Sequence, residues 1–299
     1  MVEKHSDLYP NLGLRDIIEM LNKNDRERLA LASYSTDFVE VISDLSYKDD
    51  GDLYHDFDIY YGKSIGNALP TVINVHGGGL VYGTKEICKQ ACIYLAKFGF
   101  NVVNINYRLL PDVTFRDQIK DVLDGISYIY DNAYKLNLNP EKIFLTSDSA
   151  GSFLTFAAFA LMKDENFREI FGIPAKDIDI SGLGLISPMT GLLKSGSLSL
   201  INEPARRGLT HKQIPFTDDI LKALAILPPT LITTSEEDFI RDQALAVKKF
   251  LDEKNIKSKL LDFKKTSAHP LGHGFAITHP NLGESGQVFL EINNFFKKL

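Results

Sequence analysis

Two short motifs in this chain carry the residue types that acyl-transfer chemistry needs. His76-Gly77-Gly78-Gly79 follows an apolar run at 71–75, and Ser147-Asp148-Ser149-Ala150-Gly151 follows Ile143-Phe144-Leu145-Thr146. Each lies where a buried strand would end and a helix begin. They have the forms of an oxyanion loop and a nucleophile elbow, the two halves of a serine hydrolase site. A serine hydroxyl is a poor nucleophile at neutral pH. It needs a base to take its proton and donors to hold the developing oxyanion. Small Ala150 and Gly151 permit the tight backbone that lifts the Ser149 hydroxyl above a sheet and aims a helix N-terminus at the reacting carbonyl. The backbone N–H of Ala150 is then one candidate oxyanion donor, and Gly78 and Gly79 are the others. His76 reads as a residue that orients the loop rather than as a base. One position departs from the G-x-S-x-G pattern: Ser147 stands where glycine is usual. Its added Cβ and hydroxyl would cost about 1–3 kcal/mol if the neighbours cannot shift. The plainer role for Ser149 is a helix N-cap.

An acid and a base complete the set. The run 230–234 ends in Ser235-Glu236-Glu237-Asp238-Phe239-Ile240-Arg241-Asp242. An acid at the C-terminal end of a strand is well placed to orient a histidine, and Asp238 is the candidate. Glu236, Glu237 and Asp242 are alternatives, with Asp242 better suited to capping the helix that follows. Of seven histidines, His5 and His55 precede the sheet core, His76 is in the glycine loop and His211 lies in an irregular segment. His269, His273 and His279 follow the last strand. His273 has glycine on both sides, which would let its loop reach the serine, whereas His269 and His279 each precede proline. His273 is therefore the candidate base and His269 its main rival. Serine, acid, histidine is the chain order of the α/β-hydrolases.

The elements that must hold these residues are legible in the hydrophobic pattern. Strands are predicted at 55–61, 71–75, 101–105, 143–147, 183–187, 230–234 and 257–263, and helices at 85–97, 115–136, 150–163, 241–254 and 289–298. Such alternation implies a mostly parallel sheet covered on both faces. The 257–263 run alternates and carries lysines, which suits an edge strand. The stretch from Phe153 to Met162 is apolar all round, so its helix should be buried on every side. Two segments fall outside the alternation: residues 1–50, amphipathic over 14–31, and the Gly- and Pro-containing 189–216. Both read as a lid over the site, with surface decoration as the alternative.

Composition narrows the function classes. The chain has 299 residues and a net charge of −6 with no basic run, which argues against nucleic acid or an anionic membrane as partner. It can bury a sizeable core, so neither metal nor disulfide is needed to hold it. Cys88 and Cys92, four apart in a predicted helix, read as two small buried side chains rather than metal ligands. The N-terminus shows no apolar signal region and no apolar run is long enough to span a bilayer. A cytoplasmic location is the expectation.

On His76–Gly79, Tyr107-Arg108-Leu109-Leu110-Pro111-Asp112, 147–151, 227–242 and His273-Gly274-Phe275, the chain resembles the hormone-sensitive-lipase-type carboxylesterases of the α/β-hydrolase superfamily. The likeness runs from about residue 55 to the C-terminus. The Tyr-Arg-Leu-x-Pro segment distinguishes it most, because the catalytic chemistry does not demand that segment. The resemblance implies one α/β-hydrolase domain with a small helical cap drawn from about 1–45 and 189–216. It implies a nucleophile at Ser149, acid at Asp238, base at His273 and oxyanion donors at Gly78, Gly79 and Ala150. It further implies hydrolysis of short- to medium-chain acyl esters without a cofactor or metal. Many members dimerise, some through the last strand, which makes 257–263 a candidate interface. Two rival functions share the scaffold: a ligand-binding protein without turnover, and an amidase or peptidase using the same triad.

Overall fold

The apolar, β-branched runs become strands because both faces of their sheet are covered, so nearly every side chain can be hydrophobic. The computed structural model describes residues 13–31, 35–63, 69–194 and 197–299. Strands β1 (Val39–Ser46), β2 (Asp56–Gly62), β3 (Thr71–Val75), β4 (Asn101–Ile105), β5 (Ile143–Asp148), β6 (Gly182–Ile186), β7 (Thr230–Ser235) and β8 (Ser258–Phe263) form one sheet. Their order is β1-β2-β4-β3-β5-β6-β7-β8. Pairing is antiparallel at β1/β2 and β2/β4 and parallel elsewhere. Every residue of β3 through β7 is buried.

The helices are α1 (Leu14–Leu31), α2 (Lys89–Lys97), α3 (Phe115–Asp131), α4 (Ser149–Lys163), α5 (Glu165–Phe171), α6 (Asn202–Arg206), α7 (Ile214–Asp218), α8 (Arg241–Glu253), α9 (Phe275–Thr278) and α10 (Gly283–Phe296). They split the core into two layers. Ile73, Val75, Val103 and Leu145 face one cluster with α3, α4 and α8. Val72, Val102, Phe144 and Leu231 face the other with α2, α9 and α10. This is the mostly parallel, doubly covered sheet that the alternation predicts, in the α/β-hydrolase arrangement that the resemblance implies. Helix α4 is buried at every position from Ala150 to Met162, as its uniformly apolar sequence requires. Burying each of its large side chains contributes about 1.5–3 kcal/mol.

Four differences from the sequence reading have physical causes. Residues 39–46, grouped there with the cap and the region before the sheet, form β1. Glu40 and Asp44 hide its strand pattern, and an edge strand with a bulge between Ile42 and Leu45 tolerates them. Helix α5 was not predicted, although Asp164 caps its start by accepting the Phe167 N–H and left-handed Gly172 ends it. Helix α3 stops at Asp131, five residues before the predicted end, in a turn where Asn137 takes positive φ. Helix α10 begins at Gly283, because tertiary packing of Ser285, Val288 and Phe289 overrides the poor propensity of its first turn.

The C-terminal ends of β3, β5 and β7 open on the same rim, where ligands bind in open α/β sheets. Helix α4 approaches β3 most tightly at Gly151. A Cβ on this residue would lie 2.2 Å from the Val75 carbonyl oxygen and 2.4 Å from that of His76. Both are backbone atoms at the end of the central strand β3, which cannot yield cheaply. Gly151→Ala should therefore lower unfolding free energy in urea by at least about 1–3 kcal/mol. Gly286→Ala, where nothing lies within 4 Å, should leave it equal or raise it by up to about 1 kcal/mol.

Candidate active site

Strand β5 ends in Ser147-Asp148, and the chain turns into α4 at Ser149 with φ of +47°. A non-glycine residue in that conformation stores about 1–3 kcal/mol of strain. The turn puts the serine on the rim. Its Oγ lies 2.8 Å from His273 Nε2, and His273 Nδ1 lies 2.8 Å from Asp238 Oδ1. With Asp238 ionised, Nδ1–H donates to the carboxylate and Nε2 accepts the serine proton. Ser149 does not cap its helix, since Asp148 occupies that position and makes no side-chain cap bond.

Asp238 follows β7 and is almost fully buried. Thr234 Oγ1 donates to its Oδ2 at 3.2 Å, and the Ile240 N–H to its Oδ1 at 3.0 Å. Burial opposes its charge. The hydrogen bond and charge of His273, with the Ser187 hydroxyl and the Ile240 N–H, outweigh burial and hold the carboxyl below its ordinary range. The loop bearing His273 is pinned just upstream. Leu271 donates its N–H to Glu237 at 2.8 Å and accepts the Ser235 hydroxyl on its carbonyl. The Phe239 ring packs against the imidazole at 4.5 Å.

The other candidates lie elsewhere. His269 Nε2 contacts Glu284 at 3.2 Å, and His279 Nδ1 contacts Thr278. Glu236 pairs with Lys264, and Glu237 serves Leu271. Asp242 does not cap α8. The helix starts one residue earlier, Ile240 occupies the cap position, and Asp242 sits in the first turn, where a negative charge favours the helix dipole.

The glycine loop after β3 faces the same cavity as Ser149 and His273. Gly78 has φ of +109°, and a Cβ there would lie 1.9 Å from the Tyr82 carbonyl oxygen. That carbonyl can come so close only because Gly78 has no side chain. The Gly78 carbonyl accepts the N–H groups of Val81 and Tyr82, folding the loop back. Ala150 is fully buried in the first turn of α4, where backbone N–H groups lack intrahelical partners. His76 is buried beneath this loop. Its ring stacks on Tyr107 at 4.3 Å, and Nδ1–H donates to the Gly77 carbonyl at 2.7 Å. Burial pushes its pKa down to about 4, so it is neutral.

Ser147 fits without conflict. Its hydroxyl hydrogen-bonds the Ser152 hydroxyl at 3.0 Å, away from the reacting atoms. Asp148, a motif residue to which sequence reasoning assigned no role, links the two halves of the site. Its Oδ1 accepts the Gly77 N–H at 2.9 Å and the Cys88 thiol at 3.3 Å. Burial raises its pKa above the ordinary carboxylate range, opposed by Cys88, Gly77 and His273.

The cavity over Ser149 has a volume of about 230 Å³. Its walls are mainly apolar, with Ile17 and Leu21 from α1 and Met189, Leu192 and Ile201 from the segment after β6. The Asp25–Arg28 ion pair, at 3.0 Å, adds a polar patch from α1. Among the described residues, no group of three or more His, Cys, Asp or Glu is arranged to hold a metal ion.

Known proteins share parts of this sequence and its fold. Residues 57–179 match the family model described as BD-FAE. Esterase B from Lactobacillus rhamnosis, solved with a tributyrin phosphonate inhibitor, superposes with a TM-score of 0.85 at 25% identity, over 95% of this chain and 93% of that one. The chain has the α/β-hydrolase fold of this esterase. An arylesterase of Saccharolobus solfataricus is 27% identical to this chain over 199 residues, 62% of each protein. An acetyl esterase of Salmonella paratyphi B is 31% identical over 99 residues, 33% of this chain and 31% of that protein. The chain thus spans 62% of the length of the first curated relatives it matches.

Two outcomes follow from the site. Ser147→Gly removes one buried hydrogen bond, so it should lower unfolding free energy by about 1 kcal/mol in urea while the reactivity of Ser149 toward a fluorophosphonate changes less than about threefold. Asp148→Asn keeps an oxygen for the Gly77 N–H and removes a buried charge. Because the folded pKa of Asp148 is raised, its stabilising effect holds below the unfolded pKa and fades as pH rises through the folded value. The variant should therefore gain stability over the wild type as pH rises above the ordinary carboxylate pKa, in denaturation curves run in parallel.

Proposed function

We propose that the protein is a serine carboxylesterase acting on short- to medium-chain acyl esters. The observation that carries this reading is the unbroken line Ser149–His273–Asp238, with both contacts at 2.8 Å, at the floor of an apolar cavity. In this reading Ser149 Oγ attacks the ester carbonyl as His273 Nε2 takes its proton. Asp238 holds the imidazole tautomer and stabilises the imidazolium. The N–H groups of Gly78, Gly79 and Ala150 receive the oxyanion, each such donor contributing about 2.7–4 kcal/mol where measured. His273 then protonates the departing alcohol, and water cleaves the acyl-enzyme by the same route.

Helix α1 and the segment 189–216 act as the cap, and their side chains supply much of the apolar wall. The arylesterase and acetyl esterase relatives and the phosphonate-inhibited esterase B support an ester as the bond cleaved. Among the described residues, strand β8 pairs only with β7, and its other edge is the surface through which two copies would dimerise. The buried free thiols of Cys88 and Cys92 suit a reducing, cytoplasmic setting.

The test is hydrolysis of p-nitrophenyl acetate, butyrate and octanoate. The wild type should turn over at least one ester, and Ser149→Ala and His273→Ala should each lower kcat by about 10⁴-fold or more. His269→Ala should stay within about threefold. Absence of serine-dependent turnover on all three esters would overturn the esterase reading, and loss with His269→Ala but not His273→Ala would overturn the base.

A further inference from the structure

One buried residue beyond the triad bears on its acid and on the loop that carries its base. Ser187 follows β6, which lies between the strand that leads to Ser149 and the strand that leads to Asp238. It is 1% exposed and takes φ of +47°, a left-handed conformation that any Cβ makes unfavourable. Its backbone N–H donates to the Thr233 carbonyl at 2.7 Å, which fixes the turn. Its Oγ accepts the N–H of Gly274, the residue after His273, at 3.0 Å. The same hydroxyl is near enough to the Asp238 carboxylate to help hold its charge. Two residues on, the Met189 N–H donates to the Ser149 carbonyl at 3.1 Å. The three-residue stretch after β6 thus touches the nucleophile, the acid and the loop of the base.

We propose that Ser187 is a positioning residue of the candidate triad, its hydroxyl joining the Asp238 carboxylate to the loop that carries His273. The proposal rests on the esterase reading. Glycine would relax the left-handed turn and alanine would fill nearly the same space, so what serine adds here is the hydroxyl. Without it, a buried N–H next to His273 loses its acceptor and Asp238 loses a donor. The effect on the triad is geometric, through Gly274, and electrostatic, through Asp238. The carboxylates that face His273 are Asp238 and, more remotely, Asp148.

Ser187→Ala and Ser187→Gly test this together. Both lack the hydroxyl, and the glycine variant also relieves the turn, which keeps it folded. In both, kcat on p-nitrophenyl butyrate should fall tenfold or more with KM within about threefold. The acid limb of kcat/KM should move to higher pH, because Asp238 without its donor is a stronger partner for the imidazolium. The His273 imidazole titration, followed by NMR, should move the same way. Unchanged kcat and unchanged titration in Ser187→Gly would overturn the proposal. So would a loss in Ser187→Ala that Ser187→Gly does not share, which would leave the hydroxyl without a part. A wild type that hydrolyses no ester would count against the esterase reading, whereas the NMR titration would still decide for or against Ser187.

Discussion

The site depends on how closely α4 approaches the end of β3. Ser149 can take its strained turn because the residue two positions later has no side chain, so the first turn of α4 packs directly against the backbone carbonyls of Val75 and His76. That contact brings the nucleophile and the glycine loop to one rim. Asp148 then ties them, holding the Gly77 N–H from the opposite side of the junction. The large buried surface of α4 offsets the local strain, so the turn persists as the lowest-energy arrangement of the whole domain rather than of the segment.

The acid and the base reach this junction from farther along the chain, and their placement relies on side chain–backbone bonds. Ser235 and Glu237 hold Leu271, Ser187 holds Gly274, and Thr234 and the Ile240 N–H hold Asp238. Each fixes a loop at one point. Together they leave the imidazole little freedom except rotation, which the Asp238 bond and the packed Phe239 ring restrain. The cap contributes differently. Helix α1 supplies Ile17 and Leu21 to the cavity wall but no member of the hydrogen-bonded line.

The central strands were legible because they are buried on both faces, which makes their sequences largely apolar, with the buried Asn74 and Asn104 bonding each other. Thr71–Val75 and Asn101–Ile105 match residue for residue. The edge strand β1 was not legible, since solvent on its outer face lets Glu40 and Asp44 interrupt the pattern. Helix α5 was legible in its caps, Asp164 and Gly172, but too short for a periodic signal. Ser149, Asp238 and His273 stood out because motif, strand end and small neighbours narrow the choice to few positions. Ser147 looked like a flaw because sequence shows only the added volume. Its partner Ser152 lies one helical turn into α4, and only the fold brings the two hydroxyls together. Ser187 was hidden for a related reason: a serine after a strand is ordinary, and nothing in composition marks a left-handed turn.

The burial of α4 also orders the molecule in time. Its amides, enclosed from Ala150 to Met162, exchange hydrogen with solvent only when the domain unfolds as a whole. Helix α1 buries Ile17 and leaves its other described side chains half-buried or exposed, so its amides should open at lower free energy. The part of the cavity wall that α1 supplies should therefore open in a different cooperative unit from the floor, and at lower free energy than the turn that holds Ser149.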